Sequence, residues 1–337
     1  VYKRQPWGCA SLRAMKRTAC VLLMVFALGA CASSKGSTND GSTIGVGIDV
    51  ESMRPPEAAQ VVQEFQKAYG IPPIPPPDTP VTSMGQVLEI IRGDRLPEYE
   101  AARRFAAGKQ GSEALTLRAY LDLSYAGALM TAAWILDEER KQDLTELKLV
   151  SQAQPFEDAE ATKKDQARAA ELRTKAADLR KVVRALRVLS EGPLRSGKEL
   201  AEQAIRQDPK AQLAYLANAN YNRLRGRWLE YDRMMRYADE GTEDPPVRTY
   251  LRAMEAFERY VDPARCEKLL KETLAKRPDF VRAQANLVLV DEGIEAVHEE
   301  LQRLKAMSPQ HLVVRLAGPM IEAEYKTSQE LKGVFSQ

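Results

Sequence analysis

Pro209, Pro245, Pro278 and Pro309 stand 36, 33 and 31 residues apart, and each follows a run of apolar residues at helical spacing. Proline stops a helix because it lacks the backbone N–H and its ring strikes the preceding turn, so a regular proline spacing punctuates a regular series of helices. From Met84 onward the apolar pattern is helical almost throughout, with no convincing period-2 alternation. The expected fold is therefore all-α. Helices are expected over Glu57 to Tyr69, Met84 to Arg92, Pro97 to Ala107, Ser112 to Ser151 and Glu157 to Ser190, and in pairs from Gly197 to the end. Leu172, Leu179 and Leu186 recur every seven residues with Ala169, Ala176 and Val183 between them. That pattern fits a long αα-hairpin against Ser112 to Ser151, or a coiled-coil seam at its lower limit of length.

The residues between the prolines carry a finer pattern. After Asp208-Pro209 come Ala214-Tyr215-Leu216-Ala217-Asn218-Ala219, then Gly226-Arg227-Trp228-Leu229-Glu230-Tyr231, then Met235 and Ala238. The next unit places Tyr250, Phe257, Cys266, Leu270, Thr273 and Pro278 in corresponding positions. Two flanking units are more degenerate: Ala185, Ala201, Ala204 and Pro209, with Gly197 where Ala is usual, and Leu287, Ala296, Leu301 and Pro309, with a shortened turn. This series, over about Asp178 to Pro309, resembles the tetratricopeptide (TPR) repeat. The resemblance implies a TPR-like α-solenoid of antiparallel helix pairs, preceded by the long hairpin and closed by helices within Leu312 to Phe335. It also implies a groove made by the first helix of each pair, lined by Leu213, Leu216, Asn220 and Arg223 in one unit and Arg248, Leu251 and Glu255 in the next. Cys266 falls where the family has a small packed residue, so its expected role is structural.

Near the other end, Met15-Lys16-Arg17 is followed by a twelve-residue apolar run from Ala19 to Ala30 that closes on Leu28-Gly29-Ala30-Cys31. The run is shorter than the about 20 residues a membrane-spanning helix needs, so it reads as a signal segment. With a polar Ser33-Ser34-Lys35-Gly36-Ser37 stretch after the cysteine, it resembles the lipidation box of bacterial lipoproteins. The resemblance implies cleavage before Cys31 and a covalent lipid on Cys31, the only attached group expected. Ala32-Ser33 lack the aspartate that retains some lipoproteins at the inner membrane, which implies an outer-membrane protein facing the periplasm.

The expected organisation is a leader at 1–14 upstream of the start, a signal at 15–30, a flexible tether at 31–56 and a short helix with a proline-rich stalk at 57–83. A helical region at 84–190 and repeats with closing helices at 191–337 follow. Removing residues 1–30 takes away Lys3, Arg4, Arg13, Lys16 and Arg17 and no acid, so 49 basic and 47 acidic residues become 44 and 47. A near-neutral chain gives no support for nucleic acid as a partner. Cys266 would be the single cysteine left beyond Cys31, so no internal disulfide is expected in the folded part.

Several motifs mimic chemistry. Gly192-Pro193-Leu194-Arg195-Ser196-Gly197-Lys198 has the spacing of a phosphate-binding loop, but Glu199 follows where Ser or Thr is needed and no strand precedes it. Gly192-Pro193 reads instead as a helix end. Gly45-Val46-Gly47 lacks the rest of a dinucleotide fingerprint, and the two histidines, His298 and His311, lack metal-ligand or nucleophile partners at motif spacing. Asp137-Glu138-Glu139 beside Arg140 and Lys141 reads as solvated helix surface. The expectation is a non-catalytic, lipid-anchored scaffold or adaptor that binds an envelope protein or peptide in its groove. The alternative is an accessory lipoprotein of a TRAP-type transport system, holding a small ligand or the substrate-binding protein.

Overall fold

The computed structural model describes residues 53–71, 80–152, 159–239, 245–291 and 293–335. The expected leader, signal, Cys31, most of the tether and the prolines at 72–79 lie outside the described residues. Among the described residues there are thirteen helices and no strand, so the fold is all-α.

Helix α1 (Pro55–Ala68) begins on two prolines, which suit the first helical turn, and stops at Gly70, whose φ of +63° suits glycine. It lays Phe65 against Leu179, Val182, Val183 and Leu186. Helices α2 (Met84–Arg92) and α3 (Leu96–Ala106) form a small hairpin. Ser83 and Gln86 cap the start of α2 reciprocally. Val87, Ile90, Tyr99 and Ala102 then pack with Leu121 of the next helix.

The two longest helices, α4 (Ser112–Gln152) and α5 (Ala159–Gln207), lie side by side. Their contacts run in opposite chain directions: Arg168 to Glu146 at 2.9 Å, Lys175 to Glu139 at 2.7 Å, Gly197 against Leu123, and Ser112 Oγ to the Ala204 carbonyl at 3.2 Å. The heptad leucines of α5 are buried in this antiparallel hairpin. An 18-residue window of α4 reaches a mean hydropathy of 1.2, apolar enough for a membrane span, yet its residues Leu115, Leu121, Leu123, Ala133 and Ile135 are buried within the molecule.

Helix α5 departs from expectation. It was expected to end at Ser190, but it continues through Gly192-Pro193 to Gln207. An interior proline costs about 3 kcal/mol. That cost is offset by the burial of Leu194, Ala201 and Ala204 against Leu115, Ala119 and Leu123 of α4 and Ala214 and Ala217 of the helix that follows. The expected division at 190/191 thus falls inside one helix, and residues 192–198 are helical turns with no phosphate-binding loop.

Beyond α5 come α6 (Gln212–Leu224) and α7 (Trp228–Asp239), α8 (Pro246–Glu258) and α9 (Pro263–Lys276), α10 (Val281–Val290) and α11 (Ile294–Met307), then α12 (Leu312–Leu316) and α13 (Gly318–Phe335). Connections of three or four residues within the first three of these pairs force their helices to reverse direction, whereas Ala317 alone separates α12 from α13. Pro209, Pro278 and Pro309 hold the same place in three turns, each closed by an i→i+3 bond: Ala211 N–H to Asp208 at 3.0 Å, Phe280 to Arg277 at 3.1 Å and His311 to Ser308 at 2.9 Å. Proline is favoured at this second turn position because its φ is already set. One core runs through the pairs, from Leu216 through Tyr231, Met235, Leu251, Met254, Cys266 and Leu270 to Leu287.

At Gly197 α4 and α5 lie in close contact: a Cβ there would lie 2.6 Å from Cγ of Leu123, which is fully buried. A Cβ on Gly192 would meet nothing within 4 Å. Gly192→Ala should raise the melting temperature, by up to about 1 kcal/mol of helix propensity. Gly197→Ala should lower it, because overpacking of about 1–3 kcal/mol exceeds the same gain. Thermal denaturation of the two variants, followed by circular dichroism, checks the opposite signs.

Candidate interaction surface

The expected groove residues occupy three different environments. Leu216 and Leu251 are fully buried in the core between pairs, and Asn220, Arg223 and Arg248 are buried as well. Arg223 donates Nε and Nη2 to Asn220 Oδ1 at 3.2 and 3.0 Å and pairs with Glu258 of α8. Arg248 reaches back to the last turn of α7, donating to the Ala238 carbonyl at 2.5 Å and pairing with Asp239 at 3.1 Å. These five side chains therefore join one helix pair to the next and are not open to a partner. The physical reason is that α6 is covered on both sides, by α4 and α5 through Ala214, Ala217 and Tyr221, and by α7 and α8 through Leu216 and Ala219. Leu213 is 43% exposed, and Glu255, half-buried, pairs with Arg259 at 2.9 Å.

The chain covers the other flank of these pairs with its own α4. Tyr120 packs into the core around Tyr250 and Leu251, Ser124 Oγ accepts from Arg282 of α10 at 3.2 Å, and Ile135 packs with Val281, Ala285 and Val288. At the centre of this contact lies Asp94, in the turn between α2 and α3. Its N–H bonds Ile91 O and the Arg95 N–H bonds Ile90 O, a helix stop that places Asp94 at φ +46°. Glycine or asparagine is usual there. Aspartate puts a carboxylate where three elements can reach it: Oδ1 takes Tyr99 OH at 2.6 Å and Nη2 of Arg282, and Oδ2 takes His311 Nε2 at 3.0 Å. The Val313 N–H donates to His311 Nδ1 at 3.2 Å, so the ring proton that meets Asp94 sits on Nε2 and the same ring caps α12. Burial alone would push the Asp94 carboxyl up, but the Arg282 guanidinium and His311 outweigh it and hold the group far below the usual carboxylate range.

No signal in the sequence pairs Asp94 with Arg282, 188 residues away. The isolated His311 carried no motif, yet it completes the cluster. His298, the other histidine, stacks on Tyr325 at 3.8 Å and contacts Glu322 at 3.1 Å on the surface of α11 and α13. Cys266 is fully buried, and burial pushes its thiol up to about 12, which makes it a poor nucleophile.

Exposed apolar side chains stand instead on α6 and α7. Leu229 is 79% exposed, and Tyr237 and Leu213 are exposed beside the tilted Tyr215–Tyr237 contact of 5.4 Å. Leu229 stands at the edge of a cleft of about 410 Å³, floored by Tyr231 and Met235 and rimmed by Asp232, Arg236, Asp239, Arg252 and Glu255. Asp232 pairs with Arg259 at 2.8 Å and Asp239 with Arg252 at 3.1 Å, whereas Arg236 forms no ion pair with any described residue. The cleft thus offers an apolar floor and one uncommitted cation. No family model, curated protein or solved structure matches the chain.

Asp94→Asn keeps the shape of the turn but leaves Arg282, one-fifth exposed, without its counter-charge. The loss should be about 3 kcal/mol, the low end for breaking a buried pair, read as a lowered urea midpoint. Because the native carboxyl is depressed, its contribution stands above the unfolded value near 3.9 and is lost as pH falls through the native one. The gap between parent and variant should therefore close on acidification below about pH 4, and a gap that widens there would contradict the assignment.

Proposed function

We propose that the chain is a non-catalytic, lipid-anchored scaffold of the bacterial envelope: a TPR-like α-solenoid, held through Cys31 at the outer membrane, that binds another envelope protein from the periplasmic side. The recurrence of one proline turn between successive helix pairs, at Pro209, Pro278 and Pro309, supports the repeat reading. Leu28-Gly29-Ala30-Cys31 supports the anchor. The observation that carries the binding reading is Leu229, a large apolar side chain left almost wholly in water at the lip of the α7–α8 cleft. Exposed apolar surface rimmed by charge is the usual mark of a protein contact. Arg236 specifies the partner's chemistry as a segment with an apolar side chain beside a carboxylate.

The accessory-transport reading needs space along the inner flank of the helix pairs for a small ligand. Tyr120, Ser124 and Ile135 of α4 lie against that flank, which weighs against it.

Two measurements test the proposal. Radiolabelled palmitate should be incorporated into the parent chain and not into Cys31→Ser; label in both, or in neither, removes the anchor. The envelope protein that crosslinks to the parent chain in cells should bind Leu229→Asp combined with Arg236→Glu about tenfold or more weakly, with no change in melting temperature. An unchanged dissociation constant removes the cleft from the partner site.

A further inference from the structure

Each buried heptad leucine of α5 is followed by an arginine: Leu172 by Arg173, Leu179 by Arg180 and Leu186 by Arg187. A seven-residue step turns an α-helix by nearly two full turns, so the three arginines fall on one side, next to the packed seam but outside it. Lys181 and Arg195 extend the same sector, and all five side chains are exposed. None of the five forms an ion pair with any described residue. The acids along this stretch are otherwise engaged: Glu171 pairs with Arg168 at 2.9 Å, Glu191 with Arg225 at 2.5 Å, and Asp178 accepts from Tyr69 at 3.0 Å, while Glu199 closes the far end. From Arg173 to Arg195 the stripe is about 33 Å long. The near-neutral charge of the whole chain conceals it.

The stripe also lies where the chain enters the fold. Met53 and Pro55, at the entry to α1, border a cleft with Val188, Glu191, Arg195 and Glu199 of α5. Twenty-two residues separate this point from the preceding end at Cys31, counted from Cys31 through Ser52, and they span at most about 75 Å even when fully extended. A chain fixed to a bilayer at Cys31 would therefore hold this side of α5 within reach of the headgroups.

We propose that the Arg173–Arg195 face of α5 is a docking surface for anionic phospholipid, which lays the hairpin against the membrane that carries the anchor; its placement rests on the lipid-anchor reading above. Basic side chains near an anionic bilayer each strengthen binding by on the order of fivefold, and five on one helix face act together. A lipid surface is favoured over a discrete anionic ligand because the cations are spread along a convex helix and converge on no pocket.

The test uses the mature chain from residue 31 carrying Cys31→Ser, so that no acyl group contributes, with vesicles of phosphatidylethanolamine and phosphatidylglycerol or of phosphatidylcholine alone. The chain should cosediment with the anionic vesicles at low salt, be released at high salt and ignore phosphatidylcholine. Arg180→Glu with Arg187→Glu should lower the partition by about 25-fold or more at an unchanged melting temperature, and Arg180→Lys with Arg187→Lys should preserve it. Binding to neither vesicle, equal binding to both, or full binding by the glutamate variant overturns the proposal. So does binding to polyglutamate in place of anionic vesicles, which would assign the stripe to an acidic protein. Palmitate labelling of the parent chain reports the anchor separately, so failure of the stripe and failure of the anchor are told apart.

Discussion

Everything in this fold is arranged around the need to cover α4. Its apolar residues point in every direction, so no single partner helix can shield it. Helix α5 covers one side through the heptad leucines, α2 and α3 a second through Val87, Ile90 and Tyr99, and the later helices a third through Ala214, Ala217 and Val281. The same requirement explains why α5 is not broken by Pro193. Ending the helix there would remove Leu194, Ala201 and Ala204 from contact with α4, and their burial outweighs one missing backbone bond.

With α4 packed against the later pairs, several polar side chains of those pairs are buried. The molecule neutralises them locally. Arg223 with Glu258, Arg248 with Asp239, and Arg282 with Asp94 each set a guanidinium, buried in the first two and one-fifth exposed in the third, against a carboxylate from another element. Such pairs add little net stability over apolar substitutes, but they penalise any register in which the partner is absent. The Asp94 cluster does the most of this kind, since α2, α3, α10 and α12 must all be in place for its oxygens and Arg282 to be satisfied.

Much of this architecture was legible one helix at a time. The helix expected over Met84 to Arg92 matches α2 to the residue, and the proline spacing located the turns between pairs. The groove was not legible. Leu216, Asn220, Arg223, Arg248 and Leu251 were assigned to an open groove from the resemblance to TPR repeats, and repeat position does not tell how many sides of a helix this chain covers. Asn220 and Arg223 look like surface residues in isolation, and only Glu258, 35 residues on, makes their burial possible. Leu229 sat unremarked beside the Gly226 turn, although its exposure is the most distinctive feature of the surface.

The sequence by itself determined an all-helical chain, the ends of α2, α3 and α4 to within a residue and the cadence of its proline turns, because proline stops and helical periodicity act over a few neighbouring residues. Only the tertiary structure decided that α5 runs through Pro193, that α4 packs against the later pairs, and that Asp94, Arg282 and His311 meet. The reason is the same in each case: burial and ion pairing depend on residues far apart in the chain, and their energies exceed the local preferences that a sequence displays.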